Sequence, residues 1–113
     1  MEFNLMDTLR RYYCDDLCVF HYPGMGQLGS RQWRAKRDEL NADLVRLAGR
    51  LKAAGRLDLM FFIVYDDFLT VDTAGQLRAL GVPMVNYHID MVFQWYRVIR
   101  TAPFFDVIAV AQM

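Results

Sequence analysis

The chain has 113 residues, which is the length of a single domain. Hydrophobic residues make up 55% of it and charged residues 23%, so it can form a packed core and does not belong to the disordered class. The 13 basic and 13 acidic residues cancel, which removes the simplest argument for a nucleic-acid-binding protein. The longest unbroken apolar run, residues 59–65, is far shorter than the ~20 residues of a membrane helix.

The N-terminal residues show no basic segment followed by an apolar one, so no secretory signal is visible and we expect a cytoplasmic location. Cys14 and Cys18 do not make a disulfide framework. With His21 they resemble a metal-binding pattern, but residues 18 and 21 would point to opposite faces of a strand. A metal site is therefore not predicted here.

The first half of the chain predicts two helices and one strand. Apolar residues at helical spacing indicate an amphipathic helix over residues 3–13. Residues 16–22 are a short apolar run closed by Pro-Gly, which predicts a strand and a turn. Ser30 is a favourable N-cap for a long helix to about residue 54, and Gly55 suits the position just past its end. Its apolar stripe consists of Leu40, Leu44, Leu47 and Leu51.

The second half alternates strands and helices. The pattern predicts strands over residues 57–65, 82–88 and 105–111, with helices over 70–80 and 91–100 between them. Strict alternation with short connections predicts parallel strands with helices on both faces. The expected fold is α/β, a three-layer partial Rossmann-like domain with four parallel strands and four helices. It opens on a helix and ends directly after a strand, so we expect residues 1–113 to be a single, incomplete domain.

A glycine pattern precedes the long helix. Gly24, Gly26 and Gly29 match a dinucleotide-binding fingerprint, in which a phosphate sits at the helix N-terminus. The acidic residue expected about 20 residues later is misplaced, however, and the preceding strand is not the first element. A nucleotide-binding loop and a plain glycine-rich turn both remain open.

Polar residues follow two successive strands. Asp66 and Asp67 come after the most apolar strand, at the edge that faces the ligand crevice of an open α/β sheet. They could bind Mg²⁺ or a sugar hydroxyl, or simply cap a turn. Asn86, His88 and Asp90 end the next strand, where His88 could act as an acid or base near neutral pH or serve as a hydrogen-bonded structural residue.

The long helix carries a basic excess. Residues 31–56 contain eight basic and three acidic residues. Such a helix could contact an anionic membrane surface, although a solvated face is the more common explanation.

Three segments together resemble a known family. They are LDLMFF at residues 57–62, GVPMVNYH at 81–88 and FDVIAVA at 105–111. They resemble the second half of the N-terminal Rossmann-like domain of GT-B glycosyltransferases, which has "PDxV", "GIPxVxxxHD" and "ADxIIAVS" strands. The bacterial CgeB-like or spore-maturation-type members are the most similar.

The resemblance implies transfer of a sugar from a nucleotide-sugar donor to an acceptor, without a bound metal or other cofactor. This chain would form the acceptor side of the cleft between two domains. His88 matches the family histidine that faces the cleft, and it would be the catalytic group near the reacting sugar. Asp66, Asp67, Asn86 and Asp90 would contact the acceptor or brace loops.

Two further expectations concern the chain on its own. Because the donor-binding domain and the first strand of the family are missing, we expect the chain alone to be inactive. A non-enzymatic alternative is a homodimer in which a second copy covers an exposed sheet edge.

Overall fold

We describe the protein from a computed structural model, which covers residue 11 and residues 16–21, 29–88 and 96–110. The described part is an α/β fold with two α-helices, a short 3₁₀ helix and a parallel three-stranded sheet. In chain order the elements are α1 (Arg31–Ala53), β1 (Met60–Phe62), α2 (Val71–Arg78), β2 (Met84–His88), the 3₁₀ helix Ala102–Phe104 and β3 (Val107–Val110). The prediction of an α/β fold is thus confirmed.

The long helix α1 begins and ends where its sequence predicts. The Ser30 side chain accepts a hydrogen bond from the Trp33 N–H at 3.1 Å, which caps the first turn. At the other end, Gly55 has φ +70°, a conformation that costs glycine little. The Arg56 N–H reaches the Leu51 carbonyl and the Gly55 N–H reaches the Lys52 carbonyl, as in a Schellman motif.

The three strands lie in the order β1-β2-β3, and both pairs are parallel. All three strands begin later than predicted, at Met60, Met84 and Val107 instead of residues 57, 82 and 105, and β1 also ends earlier, at Phe62 instead of residue 65. Successive side chains alternate between the two faces of the sheet. Met60, Met84 and Asn86 face α1 and α2 and are buried, whereas Phe61 and Val107, on the opposite face, are 39% and 53% exposed.

The hydrophobic core lies between the sheet and the two helices. It combines α1 residues, α2 residues and the inner face of the strands in one cluster. Its most deeply buried apolar members are Leu69, Ala74, Leu77 and Met84, each 1% exposed or less. The described residues therefore form two layers, with both helices on one face of the sheet.

One element prediction is wrong, and two are only partly covered by the described residues. Residues 16–21 are not a strand: the Asp16 carboxylate binds Arg56 at 2.6 Å and Phe20 packs against the core, so this segment joins no ladder. The described residues thus contain three strands and not the four expected. Of the predicted helix 91–100, residues 96–98 form a single 3₁₀ turn and residues 99–100 continue as a turn, while residues 91–95 lie outside the described part. Most of the predicted helix 3–13 also lies outside it.

Candidate functional site

The candidate site is the loop of residues 64–70, which follows β1 at the carboxyl edge of the sheet. The Tyr65 carbonyl accepts from the N–H groups of Phe68 and Leu69 at 3.1 and 3.0 Å, which makes a tight turn. Phe68 and Leu69 are 4% and 1% exposed and anchor the turn in the core. The loop therefore presents Tyr65, Asp66 and Asp67 from a fixed base.

Asn86 holds the start of this loop from β2. It is fully buried, its Oδ1 accepts from the Val64 N–H at 3.2 Å, and its Nδ2 donates to the Val64 carbonyl at 2.9 Å. The side-chain amide thus continues the sheet beyond the last paired residue of β1. The described contacts of Asn86 are internal, and a substrate-binding role for it stays a prediction.

Asn41 holds the end of the same loop from α1. It is 3% exposed, and its Nδ2 donates to the Phe68 carbonyl at 2.9 Å and to the Arg37 carbonyl at 2.8 Å. Its Oδ1 accepts from the Thr70 N–H at 3.3 Å. Sequence reasoning missed this residue, although an asparagine beside the leucine stripe of α1 was the available signal.

Asp66 connects the loop to the turn before the 3₁₀ helix. Its carboxylate accepts from the Thr101 hydroxyl at 2.6 Å, the Arg100 N–H at 2.7 Å and the Thr101 N–H at 3.2 Å. The Asp66 N–H in turn donates to the Arg97 carbonyl at 2.8 Å. Thr101, which sequence reasoning also missed, is 1% exposed. Asp66 thus caps a turn, which is one of the roles that the sequence left open for it.

Asp67, beside it, is exposed and lies at the rim of the loop. One of its carboxylate oxygens is 4.0 Å from a guanidinium nitrogen of Arg97. The same guanidinium lies over the Tyr65 ring, 3.8 Å from its centroid, which is a close cation–π contact. The rim therefore combines an accessible carboxylate, a guanidinium and an aromatic ring.

His88 ends β2 at the same edge of the sheet. Its backbone pairs in register with Val110, two positions beyond the pair of Asn86 and Ile108. The structure thus brings the backbone of His88 and the loop with Asp66 and Asp67 to one edge. The His88 side chain and all of Asp90 lie outside the described residues, so their roles stay predictions.

The glycine pattern is described only at its last position. Gly29 has φ +82° and directly precedes the N-cap Ser30 of α1. Gly24 and Gly26 lie outside the described residues. The nucleotide-binding alternative therefore remains a prediction.

The described part of the chain shows neither a cluster of metal ligands nor a membrane-spanning helix. Within residues 16–21, 29–88 and 96–110, no group of three or more His, Cys, Asp or Glu side chains is arranged to hold a metal ion. Cys18 is a free, exposed thiol, and Cys14 lies outside the described ranges. No helix in the described part is both long and apolar enough to cross a bilayer.

The basic excess on and after α1 is partly neutralised by nearby carboxylates. Four of its eight basic residues form ion pairs, namely Lys36 with Glu39, Arg37 with Asp38, Arg46 with Asp43 and Arg56 with Asp16. This pairing is typical of a solvated face. Contact with a membrane surface stays a prediction.

A second polar cluster lies at the opposite, amino edge of the sheet. Asp106 accepts from the Met84 N–H at 2.8 Å and pairs with Arg78 at 2.6 Å. The hydrogen bond from Arg78, followed by that from Met84, lowers the pKa of Asp106 below its ordinary value of 3.8. The same pairing raises the pKa of Arg78.

Comparison with known proteins identifies no family or relative of this chain. A scan of protein families found no match to this chain, and searches of curated proteins and of solved structures found none either.

Proposed function

We propose that this chain forms the acceptor-side wall of a glycosyltransferase cleft, as part of a larger three-layer Rossmann-like domain. One observation carries the proposal: two neighbouring parallel strands end at the same edge, one followed by Asp66 and Asp67 and the other ending at His88. In open α/β sheets, ligands bind outside the carboxyl ends of the strands.

The described contacts suggest two kinds of role for the proposed site residues. Asp66 and Asn86 are engaged with the turn at residues 100–101 and with Val64, so in this proposal they hold the wall in shape. Asp67 is exposed and, with Asp90, would accept hydrogen bonds from acceptor hydroxyls. A carboxylate offers only acceptor oxygens, which suits a sugar-like ligand rich in hydroxyl groups.

The proposed chemistry is sugar transfer. His88 would remove the proton from an acceptor hydroxyl as that oxygen bonds to the anomeric carbon of the donor. The bond from that carbon to the nucleoside diphosphate breaks, and the diphosphate leaves with the electron pair. Groups outside this wall would hold the donor, so binding of an acceptor is the property of this chain that can be measured.

The test is a titration of the ¹⁵N-labelled full chain with methyl glycosides and, separately, with the nucleotide sugars UDP-glucose and GDP-mannose. We expect saturable shifts of the Tyr65, Asp67 and Tyr87 amides with at least one glycoside at about millimolar affinity. His88→Ala and Asp67→Asn should each weaken this binding. His21→Ala, at the exposed second histidine, is the matched control and should not. Shifts that are absent for every glycoside, or unchanged in His88→Ala, would contradict the proposal.

An NAD titration distinguishes the alternative nucleotide-binding role from the glycosyltransferase proposal. Saturable shifts at Gly29, Ser30 and Arg31 that disappear in Gly26→Val would favour a dinucleotide-binding module. If those shifts occur while the glycosides leave the carboxyl edge unchanged, the glycosyltransferase proposal is wrong.

A further inference from the structure

The rim of the loop of residues 64–70 holds one guanidinium in a fixed position. The Arg97 side chain is 34% exposed, and its Cζ lies 3.8 Å from the centre of the Tyr65 ring. The backbone of Arg97 is held as well, because its carbonyl accepts from the Asp66 N–H at 2.8 Å. Both ends of Arg97 are therefore held by the loop, which reduces the entropy lost when a ligand binds to the guanidinium.

Stacking on Tyr65 uses none of the hydrogen-bond donors of Arg97. At 3.8 Å the guanidinium lies roughly flat on the ring, because an edge-on group would bring a nitrogen too close to the ring carbons. Its five N–H groups lie in its own plane and so point along the ring surface instead of into it. A planar fork of this kind binds a carboxylate through two parallel hydrogen bonds.

Asp67 lies beside this guanidinium, but their ion pair is long. The two groups are 4.0 Å apart, whereas charge-assisted hydrogen bonds are ~2.7–2.9 Å long. The Asp67 side chain is 42% exposed. A carboxylate accepts hydrogen bonds and a guanidinium donates them. The rim therefore presents side by side one group that suits a hydroxyl and one that suits an anion.

A uronic acid carries both of the groups that this rim suits. Its carboxylate is attached to the ring carbon next to one that bears a hydroxyl, so the two groups lie together at one end of the sugar. The hydroxyl can donate to Asp67 while the carboxylate accepts from Arg97. A phosphate suits the rim less well, because it carries a charge of about −1.5 to −2 at pH 7 and the Asp67 carboxylate repels it more strongly.

We propose that the acceptor bound at this wall is a sugar that carries a carboxylate, such as a hexuronic acid, with the carboxylate on Arg97 and the neighbouring hydroxyl on Asp67. Arg97 contacts the ligand, whereas Tyr65 is a positioning residue that acts through Arg97. This inference rests on the proposed function, because it names the class of acceptor for the same edge of the sheet.

The first test compares three sugars on the unaltered ¹⁵N-labelled full chain at pH 7. They are methyl glucuronide, methyl glucoside, which has a hydroxymethyl group in place of the carboxylate, and glucose 6-phosphate. The glucuronide should bind roughly tenfold or more tighter than the glucoside, with shifts of the Asp67 and Arg97 amides, and tighter than the phosphate.

The outcomes of this test separate the two proposals. Equal affinities for glucuronide and glucoside, or tighter binding of the phosphate, would overturn the uronic acid inference and leave the acceptor wall in place. The absence of binding by any glycoside, charged or neutral, would contradict the proposed function itself.

The second test removes the guanidinium. Arg97→Gln should reduce the preference for glucuronide over glucoside to less than about twofold while the affinity for glucoside stays nearly unchanged. Arg34→Gln removes the same charge from an exposed position of α1 and is the matched control, which should keep the preference. The same preference in both variants would overturn the inference. If Arg97→Gln fails to fold, the comparison of sugars on the unaltered chain decides.

The third test addresses Tyr65. Tyr65→Leu keeps the charge of Arg97 but removes the ring on which it lies, so the preference for glucuronide should fall while the affinity for glucoside does not. Tyr65→Phe keeps a ring and should retain the preference. Loss of affinity for both sugars alike in Tyr65→Leu would show a general structural role and contradict positioning through Arg97.

Discussion

The two ends of the sheet are stabilised by different kinds of contact. At the amino end, backbone bonds such as Met60 N–H to the Pro83 carbonyl stand beside one carboxylate, that of Asp106, which accepts from the Met84 N–H and pairs with the exposed Arg78. At the carboxyl end, the side chains of Asn41, Asn86 and Asp66 bind main-chain groups of the loops. Two of these three side chains are fully or almost fully buried.

The difference follows from how the chain leaves the sheet. At the amino end, residues that lead into adjacent strands bond to one another, as Met60 N–H does to the Pro83 carbonyl and Asp106 N–H to the Met84 carbonyl. At the carboxyl end, the loop of residues 64–70 leaves β1 without continuing the ladder, which takes the N–H and C=O of Val64 out of strand pairing. Buried backbone groups need partners, and here side chains supply them. Substitutions at the carboxyl end should therefore cost far more stability than those at the amino end.

The largest effect is expected at Asn86. Asn86→Leu keeps a similar volume but leaves both polar groups of Val64 buried without a partner, which should lower the free energy of unfolding by ~2–4 kcal/mol. Urea unfolding measures this change. Gln76→Leu, the same kind of exchange at an exposed position of α2, is the control and should stay within about 0.5 kcal/mol. Equal midpoints for the two variants would show that the amide does not hold the loop.

A somewhat smaller effect is expected at Asn41. Asn41→Leu should cost about 1–3 kcal/mol, because its bond from Thr70 is long, at 3.3 Å, while its bond to Phe68 is short and buried. Since Asn41 and Asn86 hold the two ends of one loop, the double variant should differ from the sum of the single ones by at least about 0.5 kcal/mol. Strict additivity would mean that the two amides act on independent structures.

Asp66 and Asp67 should contribute differently to stability although both are aspartates. Asp66→Asn weakens three hydrogen bonds to the turn at Arg100 and Thr101 and should cost ~1–2 kcal/mol. Asp67→Asn removes only a 4.0 Å, exposed pairing with Arg97 and should cost less than about 0.5 kcal/mol. Thermal unfolding of both variants at pH 7 gives the comparison, and a reversed order would contradict the assigned contacts.

The smallest effect is expected at the amino end and depends on pH. The pKa of Asp106 is lowered in the folded protein, so its contribution to stability is complete above the ordinary value of 3.8 and is lost as the pH falls through the folded pKa. Arg78→Gln should raise the Asp106 pKa toward 3.8 and flatten the acid side of the stability profile. An NMR titration of the Asp106 carboxyl measures this, and an unchanged pKa would show that Arg78 is not its main cause.

The sequence predicts α1 and α2 well because their ends are local. Ser30 and Gly55 cap the long helix through contacts within a few residues, as predicted. Thr70, predicted only as the start of the next helix, is its N-cap. Strand existence also follows from apolar runs for β1, β2 and β3. Strand length does not, because pairing depends on a partner far along the chain, as the unpaired residues 16–21 show.

The candidate site is less visible in the sequence for the same reason. Asp66 and Asp67 look alike in the sequence, yet Asp66 meets a turn about 35 residues away and Asp67 stays at the surface. Asn41 and Thr101 reach the site only through the packing of α1 and of the turn before the 3₁₀ helix. No local pattern encodes these distances. What the sequence does predict is the edge at which the polar groups gather.

The way in which Asn41 and Asn86 hold the loop of residues 64–70 also has a consequence for evolution. Asn86 fixes the loop at Val64 and Asn41 fixes it at Phe68 and Thr70, in both cases through main-chain atoms of the loop. Exposed side chains such as that of Asp67 can therefore be replaced during divergence while the path of the backbone is retained. Substitutions at this rim can therefore change its chemistry while the protein still folds.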